Sequence, residues 1–306
     1  MKILIVSGFL GAGKTTFIKA LARCTGKKFA VLENEYGAAG IDGDRLNQSM
    51  KNGEVNLWEM TDGCICCSAK GDFATSVLTI ANAVDPEYLV VEPTGVGMLG
   101  HIVENLQQIE YERISILAPV TIVDIHSYQR YQREYPELYL NQIREAGTII
   151  VSKTEESAES EKDALKRFLR KENPNAVIVT QHYTSMSNEM WEQLLLTKYD
   201  GTEICTEDEA SQKMPESFSV NNVVTSSVER IILFLEDLIR GKYGDVIRAK
   251  GQMYAGKIPI QFDVADGRYC ITGIDGITTG KAVFIGKELK RQKIRRYFIT
   301  KNKMRI

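Results

Sequence analysis

Residues 8–15 have the types and the spacing that bind phosphate. The run reads GFLGAGKT and matches the pattern G-x-x-x-x-G-K-[ST], with the apolar stretch KILIVSG before it and a helical pattern after it. In such a loop, backbone N–H groups curl around phosphate oxygens, and the helix N-terminus adds partial positive charge. We expect Lys14 to reach the β- and γ-phosphates of a nucleotide and the Thr15 hydroxyl to ligate Mg²⁺. The predicted phosphate-binding residues are Gly8, Gly11, Ala12, Gly13, Lys14 and Thr15.

A phosphate-binding loop of this kind also requires an acidic residue near the Mg²⁺ ion. Glu92 ends the apolar run YLVVE, the position at which such a residue is expected. We expect Glu92 to act with Thr15 on Mg²⁺ and Gly95, three residues on, to face the γ-phosphate. Residues 33–44, ENEYGAAGIDGD, are rich in glycine and acids and resemble a nucleotide-responsive switch. Either Asp42 or Glu35 is expected near the metal or the phosphate, and a solvated loop carboxylate is the alternative for each.

Three cysteines, Cys64, Cys66 and Cys67, stand within DGCICCS, in a chain that has six. A disulfide, a redox thiol pair and a metal site are the competing explanations. Thiolates are soft ligands that suit tetrahedral Zn²⁺, and the thiols follow a phosphate loop and a switch-like segment along the chain, so we favour a metal site. A fourth ligand is then needed, and the candidates are Glu35, a water, or a residue of a client protein or second subunit.

The stretch TIIVSKTE, residues 148–155, indicates the site of the nucleotide base. Guanine-nucleotide proteins carry N-K-x-D here, in which the Asp accepts two hydrogen bonds from guanine. This chain has Ser152, Lys153, Thr154 and Glu155. Glu155 keeps a carboxylate, one methylene longer, and Lys153 can still cover the ring plane. We therefore predict GTP, with ATP left open. Asp124, which ends the apolar run VTIVD, is expected either to contact Mg²⁺ indirectly or to cap the turn that follows.

Strand and helix patterns alternate over residues 1–200, which predicts an α/β domain with a doubly wound, mostly parallel sheet of the P-loop NTPase kind. Residues 201–217 are acidic and polar and are predicted to be a linker. The pattern then changes to short strands with two helices, which predicts a smaller α+β domain over residues 218–306.

The composition excludes several classes of protein. The chain has 306 residues and a net charge of −2, so no overall field indicates a nucleic-acid or membrane partner. No apolar run approaches the roughly 18 residues of a membrane span. The N-terminal apolar run is broken by glycines and lacks a cleavage pattern, so we do not interpret it as a signal peptide. We expect a cytoplasmic location, where thiols stay reduced.

Four motifs, SGFLGAGKTT, ENEYGAAGID, DGCICCS and VVEPTG, occur in an order and spacing that resemble the CobW family of P-loop GTPases, related to the HypB and UreG metallochaperones. The stretches VIRAKGQMYA and VFIGKEL resemble that family's C-terminal domain. The resemblance implies a GTPase that binds zinc, cobalt or nickel at Cys64, Cys66 and Cys67. It adds Thr16 to the phosphate and Mg²⁺ site.

The same resemblance implies delivery of the metal to a client metalloprotein, or assistance in assembling one. Two departures are evident: the altered guanine motif, and only three histidines, with no histidine-rich segment for storing metal. The alternative function is a nucleotide-gated scaffold that assists a cofactor-bearing partner, such as a corrinoid enzyme, with structural cysteines. A P-loop kinase is a weaker alternative. A homodimer remains open, and no arginine finger is identifiable, so slow intrinsic hydrolysis is expected.

Overall fold

The computed structural model describes residues 1–34, 55–60, 70–201, 215–277 and 279–299. Among these, the residues up to 201 form one compact unit and those from 215 onward form a second.

The first unit is built on an eight-stranded sheet in which every pairing is parallel. The strand order is β3-β2-β4-β1-β6-β7-β8, and β5 pairs with β1 beside β6. The strands are β1 Lys2–Gly8, β2 Phe29–Asn34, β3 Val55–Met60, β4 Tyr88–Glu92, β5 Ser115–Ile116, β6 Val120–Asp124, β7 Thr148–Ser152 and β8 Val177–Val179.

Helices cover both faces of this sheet, which explains why its strands are continuous apolar runs rather than alternating ones. In β1, Leu4 and Val6 belong to one buried cluster, and Ile3 and Ile5 belong to another. The predicted doubly wound fold is thus confirmed. The helices are α1 Lys14–Thr25, α2 Lys70–Ala83, α3 Leu99–Gln107, α4 Tyr128–Glu134, α5 Pro136–Arg144, α6 Glu159–Glu172 and α7 Asn188–Leu194, with a 3₁₀ turn at Tyr183–Ser185.

The second unit is a six-stranded sheet of order β13-β12-β11-β14-β9, antiparallel along this path, with the short β10 parallel to β11. Both helices bury apolar side chains, such as Phe234 and Ile294, in one cluster with Phe262 and Phe284 of the sheet. The predicted α+β architecture is confirmed. The elements are β9 Glu216–Asn221, β10 Val224–Thr225, α8 Val228–Ile239, β11 Asp245–Ala255, β12 Ile258–Ala265, β13 Arg268–Gly273, β14 Lys281–Lys287 and α9 Arg291–Ile299.

The strand order of the first unit decides which loops meet. All its strands point the same way, so their carboxyl ends share one edge. Strands β3, β2, β4 and β1 are consecutive there. With neighbouring strands about 4.8 Å apart, the ends of β1 and β3 are separated by about 14 Å. Among the described residues, no helix has the length and apolar character needed to cross a membrane.

Candidate functional site

The phosphate loop joins β1 to α1 and bends back on itself. Gly8 has a φ of +140°, and a Cβ there would lie 2.4 Å from the carbonyl oxygen of Ile122 on β6, so only glycine fits. The loop closes with a hydrogen bond from the Ala12 N–H to the Phe9 carbonyl, 3.1 Å. Lys14 is buried, with 8% of its surface exposed, and its Nζ donates to the Gly8 carbonyl, 3.0 Å away. The loop therefore turns back on itself with the Lys14 ammonium folded across it, and phosphate binding by this loop stays a prediction.

The predicted Mg²⁺ ligands also meet. The Thr15 hydroxyl donates to both carboxylate oxygens of Glu92, at 2.9 and 3.1 Å, and Glu92 is 6% exposed at the end of β4. A hydroxyl and a carboxylate are hard oxygen donors of the kind that Mg²⁺ takes. These two residues therefore fit the metal. Thr16, the residue after Thr15 on α1, has an exposed side chain.

Gly95 lies against the phosphate loop. A Cβ at Gly95 would stand 2.6 Å from the backbone nitrogen of Leu10 and 2.9 Å from its Cα. The turn is held from the other side by Gln142 on α5, whose Nε2 donates to the carbonyls of Gly97, at 2.9 Å, and Gly95, at 3.3 Å. Gln142 is buried, and the sequence analysis missed it because a lone glutamine in a helix carries no motif.

Replacing Gly95 by alanine is expected to lower kcat/KM for GTP on the order of 10- to 100-fold, because the added methyl group meets loop backbone rather than a flexible side chain. Steady-state phosphate release measures the effect. Gly273→Ala on β13 is the matched control, since nothing lies within 4 Å of a Cβ there. Equal rates for the two variants would show that the contact of Gly95 with the loop does not matter.

The stretch predicted to hold the base is tied to the phosphate loop. The Ser152 hydroxyl donates to the Ala12 carbonyl, 2.7 Å, and links β7 to the loop. Lys153 has a positive φ of 59°, and its Nζ lies 2.5 Å from Asp124 Oδ2. The other Asp124 oxygen accepts from the His126 N–H, 2.9 Å. Asp124 therefore caps the turn that follows it, which is one of the two alternatives predicted from the sequence. It also forms an ion pair with Lys153, a contact that the sequence analysis did not predict.

Glu155 stands at the outer end of this stretch, 58% exposed, with its Oε1 3.0 Å from His182 Nε2. The His182 ring packs on Tyr183 at a centroid distance of 4.3 Å. Burial first, and then the negative charge of Glu155, raise the pKa of the Tyr183 hydroxyl, with Arg23 acting in the opposite direction. Tyr183 therefore stays neutral near neutral pH. His182 is a further residue of this site that the sequence analysis did not assign.

The predicted transition-metal residues Glu35, Cys64, Cys66 and Cys67, and the predicted switch residue Asp42, lie outside the described residues. The structure does place the strands that lead to them. Strand β2 ends at Asn34, paired in register with Met60 at the end of β3. Within the described part of the chain, no group of three or more His, Cys, Asp or Glu side chains is arranged to hold a metal ion.

Glu33 is a second acid at this edge that the sequence analysis passed over in favour of Glu35. It lies on β2, is 5% exposed, and is paired in register with Glu92 on β4 and with Glu59 on β3. Partners in register put their side chains on the same face of a sheet. A buried carboxylate thus stands between Glu92, the predicted Mg²⁺ ligand, and the strand that leads into the cysteines.

A parallel sheet with a glycine-rich phosphate loop after β1, and an acid after the neighbouring strand, defines a P-loop NTPase fold. Residues 2–180 match the family model described as the CobW/HypB/UreG nucleotide-binding domain. The chain belongs to this family.

Relatives with known names match parts of the chain. The zinc chaperone YeiR of Escherichia coli is 32% identical over 167 residues, 54% of this chain and 50% of YeiR. The zinc chaperone CobW of Pseudomonas aeruginosa is 32% identical over 132 residues, 40% of this chain and 35% of CobW. The chain thus spans half or less of the length of these relatives. The solved structure of Zn(II)-bound YjiA GTPase from E. coli is 20% identical, with a TM-score of 0.48 over 97% of each chain.

Proposed function

We propose that this protein is a GTP-hydrolysing metallochaperone that binds a transition metal at Cys64, Cys66 and Cys67 and delivers it to a client metalloprotein. The observation that carries the proposal is the strand order β3-β2-β4-β1. This order brings the end of β3, the strand that precedes the three cysteines in the sequence, to the same sheet edge as the phosphate loop. Names of relatives support it: two are called zinc chaperones, and one from Dictyostelium discoideum is called a zinc-regulated GTPase metalloprotein activator.

Hydrolysis would proceed by in-line attack of water on the γ-phosphate, driven by positioning and charge neutralisation rather than by a covalent intermediate. Lys14 would place its ammonium against the β- and γ-phosphate oxygens. Thr15 and Glu92 would hold Mg²⁺, which neutralises phosphate charge when bound. Gly95 would bring backbone close to the γ-phosphate, because its turn already touches the loop at Leu10.

The base would be guanine. Guanine presents two adjacent donors, N1–H and the 2-amino group, and the Glu155 carboxylate is an acceptor with two oxygens. The Lys153 side chain, held by Asp124, would cover the ring plane, and Ser152 keeps this stretch at a fixed distance from the phosphate loop. Adenine offers an acceptor at N1, so a carboxylate opposes it.

Nucleotide state and metal affinity would be coupled through β2 and the residues that follow it. A γ-phosphate would order residues 33–44, in the manner of other nucleotide switches, and so reshape the ligands around the cysteines. Glu35 is one carboxylate candidate for the metal. Glu33 is another, because it is buried on β2, between the strand of Glu92 and the strand that leads to Cys64. Thiolates that exchange metal need a reducing compartment, so we propose a cytoplasmic location.

Zinc affinity measured with GDP and with a non-hydrolysable GTP analogue tests the coupling. We expect the two constants to differ by about 5- to 150-fold, the usual range for linked sites. Competition with a chromophoric chelator provides the measurement, with the nucleotide-free protein as reference. Equal zinc constants in both nucleotide states would contradict the proposal.

A further inference from the structure

We infer that His182 is a specificity-determining residue for the base: it orients the Glu155 carboxylate so that this group accepts the N1–H and 2-amino hydrogens of guanine. This inference rests on the proposed GTP specificity and deepens it. The contact that carries it is the 3.0 Å approach of His182 Nε2 to Glu155 Oε1, between the two stretches that follow β7 and β8.

The contacts of His182 favour one tautomer of its neutral imidazole ring. The Thr184 N–H donates to His182 Nδ1 at 3.4 Å, and the Thr184 hydroxyl lies 2.7 Å from the same nitrogen. A neutral imidazole has one acceptor and one donor nitrogen. In the neutral ring, an Nδ1 that accepts from the Thr184 N–H leaves the proton on Nε2, the nitrogen that lies 3.0 Å from Glu155 Oε1. His182 is therefore set up as a donor to the carboxylate without needing to be charged.

The imidazole ring is also held in place. It packs on Tyr183 with an interplanar angle of 30°. Tyr183 is buried, and its ring meets Phe17 of α1 edge to face, at a centroid distance of 5.6 Å and 88°. The donor to Glu155 thus rests on the helix that begins at the phosphate loop. A shift of the base stretch relative to the loop would break this stack.

Glu155 needs such a partner because it is long and exposed. A glutamate has one more rotatable bond than an aspartate, and ordering a free side chain on binding reduces affinity. His182 restricts that freedom before the base arrives. A carboxylate has about four acceptor positions, so accepting one hydrogen bond from Nε2 leaves enough for both guanine donors. An ion pair or hydrogen bond as exposed as the His182–Glu155 contact contributes little to the stability of the free protein. We therefore expect this contact to matter when a bound base covers it.

Dissociation constants for GDP, inosine diphosphate and ADP, measured by titration calorimetry with Mg²⁺, test the inference. His182→Ala is expected to weaken GDP about five- to tenfold, the size of one charge-assisted hydrogen bond at a partly exposed site. ADP, which the carboxylate does not recognise, should change less than about twofold. Inosine diphosphate lacks the 2-amino group and should be affected less than GDP. His182→Gln retains an N–H donor and should recover most of the GDP affinity.

Gln181→Ala is the matched control, because Gln181 is the exposed neighbour of His182 in the same loop. A double-mutant cycle with Glu155→Asp adds a second readout. The shorter acid cannot reach His182 equally well, so His182→Ala should alter the GDP-to-ADP ratio by less than about twofold in the Glu155→Asp protein. The thermal unfolding midpoint of each variant identifies any that fail to fold, and the His182→Gln and Glu155→Asp proteins then carry the comparison.

The outcomes separate the inference from the proposed function. Equal weakening of GDP and ADP by His182→Ala would indicate a merely structural role and overturn the inference. So would an unchanged GDP affinity in a protein that otherwise prefers GDP. A wild-type protein that prefers ADP would overturn the proposed GTP specificity, and the inference with it. A selective loss for GDP that glutamine restores supports both.

Discussion

Replacing Lys14 by alanine is expected to lower the rate of GTP hydrolysis by at least about 100-fold, the size of the loss when one preorganised charge-stabilising group is removed. The side chain is buried at the phosphate loop, with its Nζ 3.0 Å from the Gly8 carbonyl. The ammonium thus lies at the loop that we propose to bind the phosphates. The variant keeps the loop glycines but loses the positive charge that offsets charge on the transferring phosphoryl group.

Single-turnover hydrolysis with saturating protein is the measurement, since it separates chemistry from nucleotide binding. Lys27→Ala is the matched control: it removes an exposed lysine just beyond the C-terminal end of α1. A Lys14→Ala protein that hydrolyses GTP at the wild-type rate would refute the assignment of this loop. Because a buried ammonium is removed, the thermal unfolding midpoint should be recorded for both proteins.

The candidate phosphate and Mg²⁺ residues could be selected from the sequence because their chemistry fixes both residue type and spacing. A loop between a buried strand and a helix can wrap a phosphate in few ways, and Gly8, Lys14 and Thr15 stand where that geometry needs them. Glu92 was singled out because it ends the apolar run YLVVE, and the structure places that strand beside β1 and the Glu92 carboxylate within hydrogen-bond distance of Thr15. Parallel strands of one sheet necessarily end at one edge.

The contacts that hold the site together could not be predicted, because they are made across long sequence separations by common polar residue types. Lys153 and Asp124 are 29 residues apart, and Ser152 and Ala12 are 140 apart. Gln142 lies on a helix and reaches carbonyls of the Gly95 turn, 45 and 47 residues away. No local period or motif reveals such contacts. Only the packed fold brings them to the groups that they hold.

Element boundaries show a similar limit. The apolar run ISILAPVTIVD, residues 114–124, contains two strands, β5 and β6, separated by residues 117–119. Pro119 has no N–H to donate to the sheet, and its carbonyl instead accepts from Gly147 and Thr148. Likewise β9 begins at Glu216, so the strand includes the last two residues of the predicted linker, 201–217. Composition locates a linker, whereas pairing with β14 decides where the strand starts.

Replacing Cys64, Cys66 and Cys67 together by serine is expected to lower zinc affinity by more than about 100-fold. A serine hydroxyl does not ionise near neutral pH and is a hard donor, whereas Zn²⁺ in thiolate sites is held by ionised sulfur. Such a loss exceeds the 10- to 100-fold range for changes of groups that only orient ligands. Metal content after purification, and competition with a zinc chelator, measure it.

The control for this variant is a thiol elsewhere in the same chain. Cys270 is a free, exposed cysteine on β13, and Cys24 is a free, half-buried one on α1. Cys270→Ser changes one sulfur without touching the sheet edge where β3 ends, so it should leave zinc affinity within about twofold. GDP affinity, measured on the triple variant, reports whether the nucleotide site still forms.

The triple variant also separates the two functions that the sequence left open. A metallochaperone without thiolates loses its cargo, and its zinc constant should then become insensitive to the nucleotide. If the protein is instead a scaffold with structural cysteines, the triple variant should lose folding stability. In that case the wild-type protein and the triple variant should both hold little metal. If the triple variant binds zinc as tightly as the wild-type protein, the metal is held elsewhere. In that case Cys64, Cys66 and Cys67 have no part in metal binding.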